Sequence, residues 1–363
     1  MIINIINPHA SYYLGGTEVV TLEQALALGR RGHTVRYFTW ETPIYSDYFE
    51  AFLQKAKNLD ITPVLVPRDP ALPMADGSWP RYYYLSNRFG IAAQPYYVQY
   101  TDADLFVSHL SADSLYVPSG VKHILHLHGT PSVPDAMIDT ALQLPDAALA
   151  HATSIRDWWH EYYPSLPIDF FRNGIDTTAY QGSPAGKRPI DVLYVGRFME
   201  HKGIGDILTA VSSETSVVIA GHGPYEATLR SLIHARGLHN VKIIVNPPTD
   251  ELKLLYRQAK LFVCPSRAKE GVLTTMLEAG ASGAAVITAH GSGMTDLIQE
   301  DYNGAVVPAG SPKELSKAMQ RLLGDENERI HLAETLQKNI RNEWSWEAKG
   351  EELENAYAKH LTK

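Results

Sequence analysis

The chain has 363 residues, about twice the length of a typical domain, which predicts two domains that each bury a core of their own. Hydrophobic residues make up 45% and charged residues 20% of the chain, a composition that excludes a largely disordered or fibrous protein. The formal net charge of -8 excludes a general nucleic-acid binder, because contact with a phosphate backbone requires a basic surface.

The N-terminal half alternates short apolar runs with helical periodicity. Residues 2–7 are an apolar run, Gly15 and Gly16 follow, and residues 19–31 carry apolar side chains at helical spacing before a second run at 34–39. This is a strand, loop, helix, strand unit of a parallel sheet. Further strands are predicted, in chain order, at residues 61–66, 105–108, 123–128, 147–150 and 168–171. The pattern predicts a Rossmann-like, doubly wound α/β domain.

A segment rich in Gly, Pro and Ser at residues 181–189 has the composition of a linker, and we place the domain boundary there. The expected domains are therefore residues 1–180 and 181–345. Beyond the boundary, strands are predicted at residues 191–195, 216–220, 241–245, 261–264, 285–288 and 304–307, with helices at 204–212, 225–236, 250–258, 274–281 and 294–299. The tail is mostly helical, and residues 346–363 are expected to form a helix that crosses back to the first domain.

Two cations and two glycines lie between the first strand and first helix of the second domain. They are Gly196, Arg197, Lys202 and Gly203. A diphosphate suits this loop, because Arg offers a planar fork, Lys a point charge, and the helix N-terminus free N–H groups. Taken by itself, the loop is equally consistent with a solvated turn that carries incidental charges.

A pair of carboxylates follows the strand at 261–264. Glu270 lies in the loop, next to Gly271, and Glu278 lies in the second turn of the helix that follows. Carboxylates accept hydrogen bonds from sugar or ribose hydroxyls, and a glycine lets backbone N–H groups approach a phosphate. Without other information, a surface-charge interpretation is favoured for such a pair.

The two loops together resemble the family-four retaining glycosyltransferases of the GT-B fold. The resemblance is carried by Gly196-Arg197, Lys202-Gly203 and the spacing of seven residues between Glu270 and Glu278. It continues at Gly15-Gly16 and at residues 173–176 and 303–307, so it spans most of the chain. It implies two Rossmann-like, doubly wound domains that face each other across a cleft, with the acceptor side in the N-terminal domain and the nucleotide-sugar donor in the C-terminal one.

The resemblance also assigns roles in the C-terminal domain. It implies that Glu270 approaches the hydroxyls of the transferred sugar, that Glu278 holds the ribose, and that Arg197 and Lys202 neutralise the donor diphosphate. The backbone that contacts the donor is expected at Gly196, Gly271, Val272 and Leu273.

In the N-terminal domain the resemblance implies that Gly15 and Gly16 approach the diphosphate. His128 ends a predicted strand where the family has a histidine that contacts the transferred sugar. The catalytic residues expected are therefore Glu270, His128, Arg197 and Lys202.

The chain departs from the family pattern at three positions. The family usually has an aromatic residue and a glycine where this chain has Val272 and Leu273, and a proline where it has Ala285. The larger Leu273 side chain narrows the expected pocket, so the identity of the sugar stays open.

Three histidines share one predicted strand, with His126 and His128 on the same face and His123 nearby. Two histidines at this spacing can contribute to a zinc site, but the sequence offers no nearby carboxylate or thiol to complete one. We therefore predict no metal site and no cofactor, and packing roles for His123 and His126.

Six tyrosines are concentrated between residues 79 and 100. Aromatic faces stack on sugar rings, so an acceptor platform is one interpretation, while packing in the core or at a domain interface is favoured.

The sequence therefore predicts a retaining, metal-independent hexosyltransferase. The donor is expected to be a UDP- or GDP-sugar and the acceptor a carbohydrate, a glycolipid or another lipid-linked or small molecule, in polysaccharide or glycoconjugate biosynthesis. Two alternatives stay open: a nucleotide-sugar epimerase of the same fold, and a catalytically inactive sugar-nucleotide binding protein. The oligomeric state is not predicted.

The N-terminus lacks the features of a signal peptide, the only cysteine, Cys264, lies in an apolar run, and no apolar run is long enough to span a bilayer. These features predict a cytoplasmic protein. Peripheral contact with the inner face of a membrane stays open.

Overall fold

The computed structural model describes residues 1–13, 15–75, 79–130, 136–268, 270–290 and 293–361. The chain divides into two compact units, which we describe separately. Unit 1 contains residues 1–174 and 346–363, and unit 2 contains residues 175–345.

Unit 1 is built on a seven-stranded sheet in which every pairing is parallel. Its strands are β1 (Ile2–Ile6), β2 (Thr34–Glu41), β3 (Ile61–Pro67), β4 (Leu105–Ser108), β5 (His123–Leu127), β6 (Ala147–Ala150) and β7 (Ile168–Phe170). The spatial order is β3-β2-β1-β4-β5-β6-β7. The central strands are almost wholly buried, as expected for a parallel sheet that is covered on both faces.

Helices connect these strands. They are α1 (Gly16–Arg30), α2 (Asp47–Ala56), α3 (Trp79–Gln99), α4 (Ser111–Ser114), α5 (Ala136–Ala141) and α6 (Thr153–Tyr162). The α2 helix begins where the Ser46 hydroxyl accepts a hydrogen bond from the Phe49 N–H at 3.3 Å, which satisfies one of the free donors of the first turn.

Unit 2 repeats the design with a six-stranded parallel sheet. Its strands are β8 (Ile190–Arg197), β9 (Val217–His222), β10 (Val241–Val245), β11 (Ala259–Cys264), β12 (Ala285–Ala289) and β13 (Ala305–Val307), in the order β10-β9-β8-β11-β12-β13. Its helices are α7 (Ile204–Ala210), α8 (Glu226–Ala235), α9 (Thr249–Gln258), α10 (Thr274–Ala281), α11 (Pro312–Gly324) and α12 (Glu326–Glu343), with 3-10 turns at Glu200–Lys202 and Gly293–Asp296.

The last helix, α13 (Trp346–Leu361), belongs to unit 1 although it follows unit 2 in the chain. Trp346, Leu353 and Tyr357 are buried in the same core cluster as β1 and α1. At its surface Arg31 pairs with Glu354 at 2.5 Å. Unit 1 is therefore completed by a helix that follows unit 2 in the sequence.

The structure divides the chain after Gly174, six residues before the boundary that the sequence indicated at 181. The reason is that Ile175 forms a bridge with Ser345 and donates its N–H to the Trp344 carbonyl at 2.7 Å, which ties residues 175–180 to unit 2. The Gly- and Pro-rich segment is likewise fixed to unit 2. Its Arg188 side chain is buried and donates to four backbone carbonyls.

One local prediction needs correction. The helix expected at residues 294–299 is only the 3-10 turn Gly293–Asp296, because the Asn303 side chain accepts from the Gln299 N–H at 2.7 Å and donates to the Leu297 carbonyl, which ends the turn. The tyrosine-rich stretch forms the long helix α3, in which Tyr97 is fully buried while Tyr84 is exposed.

Both sheets reverse their strand order at one place, between β1 and β4 in unit 1 and between β8 and β11 in unit 2. Open α/β sheets bind ligands beyond the carboxyl ends of the strands at this position. Among the described residues, each helix is too short or too polar to cross a bilayer.

Candidate active site

The two loops singled out by the sequence lie side by side at the strand-order reversal of unit 2. β8 ends at Arg197 and leads into the 3-10 turn Glu200–Lys202, while the neighbouring β11 ends at Cys264 and leads into α10. Because both strands are parallel, their carboxyl ends bring the predicted cation loop and the predicted carboxylate loop to the same edge of the sheet.

Lys202 and Glu270 form an ion pair between these loops, through the ammonium group and Oε1. Both side chains are largely shielded, with 12% and 16% of their surface exposed. The second carboxylate oxygen of Glu270, Oε2, is buried and accepts no hydrogen bond from the described residues. The site therefore holds a shielded cation beside a carboxylate that keeps one acceptor oxygen free.

Further contacts join the two loops. The Arg267 N–H donates to the His201 carbonyl at 2.7 Å, and the Arg267 guanidinium pairs with Asp206 through two hydrogen bonds of 3.0 and 2.5 Å. Gly203 adopts a left-handed conformation with φ of 73°, and a Cβ there would lie 2.3 Å from the Pro265 carbonyl oxygen. Only glycine fits this position without moving the backbone, so the two loops are held in a fixed relation.

Arg197 is the last residue of β8 and pairs in register with His222 of β9. Burial lowers the pKa of His222, and the charge of Arg197 lowers it further. Gly196 precedes Arg197, and its carbonyl oxygen would lie 1.9 Å from a Cβ at Gly221. Glycine at the end of β9 therefore permits a close approach of two backbone segments.

Glu278 lies in α10 and is 9% exposed. Its carboxylate accepts hydrogen bonds from the Tyr256 hydroxyl at 2.5 Å and from the Tyr180 hydroxyl at 3.2 Å. Burial raises the pKa of this carboxyl, and the two tyrosine hydrogen bonds oppose the rise. The residue expected to hold the ribose is thus already tied to the core of unit 2 by two hydroxyls.

Gly271, Val272 and Leu273 connect Glu270 to α10, and Val272 and Leu273 pack partly buried against the core of unit 2. The helix begins at Thr274 without a side-chain cap. The first N–H groups of a helix have no partner inside the helix and favour an anion. The Glu270 carbonyl accepts from the Gly293 N–H at 2.6 Å, which fixes the start of this segment.

The remaining predicted residues lie in unit 1. Gly15 immediately precedes α1 in an extended conformation, and Gly16 is the first helical residue. A Cβ at Gly15 would lie 2.4 Å from Oε2 of the buried Glu18. The glycine therefore lets the chain pass close to this carboxylate where the helix begins.

His128 follows β5 and belongs to a cluster of four imidazoles, with His109, His126 and His151. The His109 Nδ1 and His128 Nε2 atoms are 2.9 Å apart, and the His126 Nδ1 and His151 Nε2 atoms are 3.1 Å apart. The rings of His128 and His151 stack with centroids 4.3 Å apart. Burial lowers the pKa of all four imidazoles, that of His151 to about 4, so they are uncharged near neutral pH.

Sequence reasoning missed His109 and His151. His109 directly follows β4 and His151 directly follows β6, just as His128 directly follows β5. The rule that side chains after neighbouring parallel strands meet at one edge would have found both, had it been applied to every strand end. Tyr180 and Tyr256, which hold Glu278, carry no comparable signal because they lie far from it in sequence.

Two family sequence profiles match the chain, and together they cover nearly all of it. The profile described as "Glycosyltransferase Family 4" matches residues 14–179, and the one described as "Glycosyl transferases group 1" matches residues 177–342. The chain belongs to the family-four glycosyltransferases of the GT-B fold.

Similarity to characterised members of the family is partial. A GDP-mannose-dependent alpha-(1-6)-phosphatidylinositol monomannoside mannosyltransferase of Mycobacterium tuberculosis is 28% identical over 208 residues, which cover 51% of this chain and 54% of that protein. The chain thus spans about half the length of the curated relatives it matches.

Solved structures of the fold match over nearly the whole chain. Sucrose-phosphate synthase from Thermosynechococcus elongatus has a TM-score of 0.82 at 16% identity and covers 99% of both chains. The Anabaena protein HepE, solved in complex with UDP-glucose, has a TM-score of 0.76 at 16% identity and covers 99% of this chain and all of that one. At this identity, the two structures establish the GT-B fold for this family-four member and nothing more about its ligands.

Proposed function

We propose that this protein is a retaining glycosyltransferase that moves a hexose-type sugar from a nucleoside-diphosphate sugar to a carbohydrate or lipid-linked acceptor, in polysaccharide or glycolipid biosynthesis. One observation carries the proposal. Lys202 and Glu270 lie against each other at the strand-order reversal of unit 2, where α/β sheets bind their ligands.

Donor binding would divide this ion pair. The diphosphate would take the Lys202 ammonium, and a sugar hydroxyl would donate to Glu270, whose Oε2 is buried and accepts no hydrogen bond from the described residues. The charge on Lys202 stays compensated when one anion replaces another, and the sugar hydroxyl gives the Glu270 carboxylate a hydrogen bond in place of its cation. In the ligand-free protein the ion pair keeps both side chains in the site, and neither charge is shielded from water without a partner.

The start of α10 and Arg197 would complete the diphosphate site. Negative charge develops on the phosphate as the bond to the sugar breaks, and preorganised cations and helix N–H groups stabilise that charge. Glu278 would hold the ribose with the acceptor capacity that its carboxylate retains beside Tyr256 and Tyr180. Backbone atoms of Gly196, Gly271, Val272 and Leu273 would contact the donor.

The transfer itself needs no side-chain nucleophile. The acceptor oxygen forms the new bond to the anomeric carbon on the face from which the phosphate leaves, and the leaving phosphate oxygen takes the proton of the acceptor hydroxyl. Arg197 and Lys202 take the place of a divalent metal at the phosphates, so we propose that transfer is metal-independent. The roles of Gly15, Gly16 and His128 stay predictions from the family resemblance.

The base and the sugar are open, since one relative is described as GDP-mannose-dependent and one structural neighbour was solved with UDP-glucose. The lipid-linked acceptor of that relative supports a glycolipid among the candidate acceptors. The cytoplasmic location, with peripheral contact at the inner face of a membrane, stays a prediction.

A thermal-shift screen across nucleoside diphosphates and their sugars tests the proposal directly. A ligand at one hundred times its dissociation constant adds about 2.7 kcal/mol of stability, which is easily measured. We expect one base to stabilise the protein in both its diphosphate and its sugar forms, and the shift to be lost in Lys202→Ala. Lys260→Ala is the matched control, because Lys260 pairs with Asp191 near the start of β11, away from the strand ends of the site.

Incubation of the selected donor without an acceptor separates the alternatives. Slow release of free sugar and nucleoside diphosphate supports a transferase that uses water as a poor acceptor. An isomerised nucleotide sugar would instead identify an epimerase, and an unchanged donor that still stabilises the protein would identify a binding protein. The absence of any shift across the screen contradicts the proposed donor site.

A further inference from the structure

A hydrogen bond joins the two histidines that follow β4 and β5. His109 directly follows β4 and His128 directly follows β5, and the two strands are parallel neighbours. The His109 Nδ1 and His128 Nε2 atoms are 2.9 Å apart. Burial lowers the pKa of both imidazoles well below the ordinary value. Near neutral pH, each ring therefore carries one N–H and one nitrogen lone pair.

A hydrogen bond between two neutral imidazoles permits only two proton arrangements. In the first, His109 donates its Nδ1–H to His128 Nε2, and the proton of His128 is on Nδ1. In the second, His128 donates its Nε2–H to His109 Nδ1, and the proton of His109 is on Nε2. The tautomer of His109 therefore decides whether the Nδ1 atom of His128 is a donor or an acceptor.

The buried Nε2 atom of His109 distinguishes the two arrangements. His109 is 2% exposed, and its Nε2 atom makes no hydrogen bond to any described residue. The second arrangement places an N–H at this atom, whereas the first places only a lone pair there. In folded proteins a buried N–H without an acceptor is rarer than a buried acceptor without a donor. The first arrangement is therefore favoured.

The neighbouring imidazoles do not change this choice. His151 donates its Nδ1–H to a backbone carbonyl at 3.0 Å, so its Nε2 atom has a lone pair. His126 donates to that atom from its Nδ1 at 3.1 Å and accepts from the Tyr357 hydroxyl at its Nε2, 2.9 Å away. Both nitrogens of His126 thus have partners other than His109 and His128. The proton arrangement of the His109–His128 pair is therefore set by these two rings alone.

The orientation of the His128 ring also depends on His109. His128 stacks on His151 with ring centroids 4.3 Å apart and an angle of 26° between the ring planes. Stacking fixes the plane of the ring, but a half-turn about the Cβ–Cγ bond keeps that plane and exchanges the positions of nitrogens and carbons. The hydrogen bond with His109 selects the orientation in which Nε2 accepts from the His109 Nδ1–H.

We propose that His109 is a positioning residue that holds His128 with its proton on Nδ1, so that His128 presents a hydrogen-bond donor to an uncharged oxygen of the ligand. His128 is partly exposed beyond the carboxyl end of β5, the edge at which α/β sheets bind ligands. Its Nδ1 atom makes no hydrogen bond to the described residues. The inference rests on the proposed function, in which this oxygen belongs to a hydroxyl of the transferred sugar. That hydroxyl keeps its own proton for another acceptor.

Nitrogen NMR of the full chain, labelled with ¹⁵N in its histidine rings, tests the tautomer without any ligand. Protonated and unprotonated ring nitrogens have widely separated chemical shifts, and the signals that disappear in His128→Gln are those of His128. We expect its Nδ1 to have the shift of a protonated nitrogen and its Nε2 that of an unprotonated one. The decision needs no variant at position 109. A His128 ring with its proton on Nε2 overturns the proposal.

Variants of His109 test whether this residue sets the tautomer. Neutral histidine in water prefers its proton on Nε2, so we expect His128 to shift toward that tautomer in His109→Leu. His109→Asn should keep the wild-type tautomer, because its amide nitrogen is attached to Cγ, as Nδ1 is in histidine, and also donates. His239→Gln, at an exposed histidine of unit 2, is the control. Equal His128 shifts in wild type and His109→Leu contradict the positioning role.

Turnover of the donor that the thermal-shift screen selects separates positioning from packing. His109→Leu should lower kcat roughly 10-fold, as for the loss of one hydrogen bond, while the thermal shift with the nucleoside diphosphate stays at the wild-type value. His109→Asn should restore most of kcat. A kcat that is unchanged in His109→Leu, or lowered equally in both variants, contradicts the proposal. A wild type that binds the diphosphate but never turns over the donor contradicts the proposed function instead, and the NMR measurement still decides the tautomer.

Discussion

The two sheets share the same order around their reversal points, yet their carboxyl ends carry different chemistry. In unit 2 the strand ends hold ions in pairs, Lys202 with Glu270 and Arg267 with Asp206. In unit 1 the described strand ends hold imidazoles, of which His109 and His151 directly follow β4 and β6. One backbone design therefore supports a charged site in one unit and an uncharged polar site in the other.

The difference follows from how each unit compensates the free-energy cost of burying polar groups. Unit 2 keeps its groups charged by placing opposite charges in contact. Unit 1 keeps its groups neutral, because burial lowers the pKa of the imidazoles, and it satisfies them through hydroxyls and carbonyls. Charged groups suit an anionic ligand, whereas neutral imidazole nitrogens suit hydrogen bonds with uncharged groups.

The largest effect is expected from Lys202→Ala. Loss of one preorganised cation at the leaving phosphate should raise the barrier by about 2–4 kcal/mol, which lowers kcat by roughly 30- to 900-fold. Steady-state kinetics with the donor selected by the screen measure this change, with Lys260→Ala as the control. A kcat within a few-fold of wild type would remove Lys202 from the catalytic residues and leave the ion pair a structural contact.

A pair of glycine variants tests whether the charged site depends on fixed loops. Gly203 and Gly237 both have φ values in the left-handed region, 73° and 62°. A Cβ at Gly203 meets the Pro265 carbonyl, whereas a Cβ at Gly237 meets no atom of the described residues within 4 Å. Both alanine variants should lose about 1 kcal/mol from backbone strain. Gly203→Ala should lose a further 1–3 kcal/mol, roughly, from the clash.

Urea unfolding of the two glycine variants measures the difference in their free energies. Equal losses would show that the loops after β8 and β11 shift apart freely, so that their contact is not a constraint on the site.

Because His123 of unit 1 is buried as a neutral imidazole, we expect acid to lower the free energy of unfolding through this residue. Burial lowers the pKa of this imidazole to about 4, with the Asp146 carboxylate opposing in part, whereas the unfolded chain has the ordinary value of 6.5. The unfolded state therefore binds the proton first. The contribution of neutral His123 to the free energy of unfolding is fully present above about pH 6.5. It falls by up to about 1.4 kcal/mol per pH unit as the pH drops toward 4.

Unfolding free energies at pH 7 and pH 5 test this expectation. His123→Gln should lose less stability than wild type between the two pH values, because the titrating group is gone. Ser108→Ala is the control, since it removes the 2.8 Å hydrogen bond to His123 but keeps the imidazole. Identical pH dependence in wild type and His123→Gln would mean that other groups carry the acid sensitivity.

The smallest effect is expected from Tyr180→Phe in unit 2. The variant removes a 3.2 Å hydrogen bond to Glu278 but leaves the shorter one from Tyr256, so the loss of stability should be about 1 kcal/mol. Tyr302→Phe, at an exposed tyrosine, serves as the control in thermal unfolding. A loss above about 3 kcal/mol would show that Glu278 cannot stay buried on one hydroxyl, and would sharpen the contrast with unit 1.

Periodicity predicted the two parallel sheets well, because buried strands such as β4, β6 and β11 are short apolar runs bounded by turn residues. It gave no prediction for α3, whose apolar and aromatic side chains are spread around the helix and whose interior contains Pro95. It also extended the Gly293–Asp296 turn into a helix, because the side chain that ends the turn, Asn303, lies several residues later.

Only those features of the candidate site that short stretches of sequence carry could be predicted. The family resemblance carried by Lys202, Glu270 and Glu278 indicated which loops to consider, and the structure brings Lys202 and Glu270 into contact. The partners of Glu278 could not be predicted, since Tyr180 is 98 residues away and depends on how unit 2 closes. The four-histidine cluster likewise requires the register of β4, β5 and β6, which no single stretch of sequence encodes.

The position of α13 in the sequence determines which unit can complete its core first during synthesis. α13 supplies Trp346, Leu353 and Tyr357 to the core of unit 1, and the Tyr357 hydroxyl contacts His126. Residues 175–345 emerge from the ribosome before these side chains. Unit 2 can therefore complete its core while the core of unit 1 still lacks the side chains of α13. The nascent N-terminal sheet therefore keeps part of its apolar surface uncovered until α13 has been synthesised.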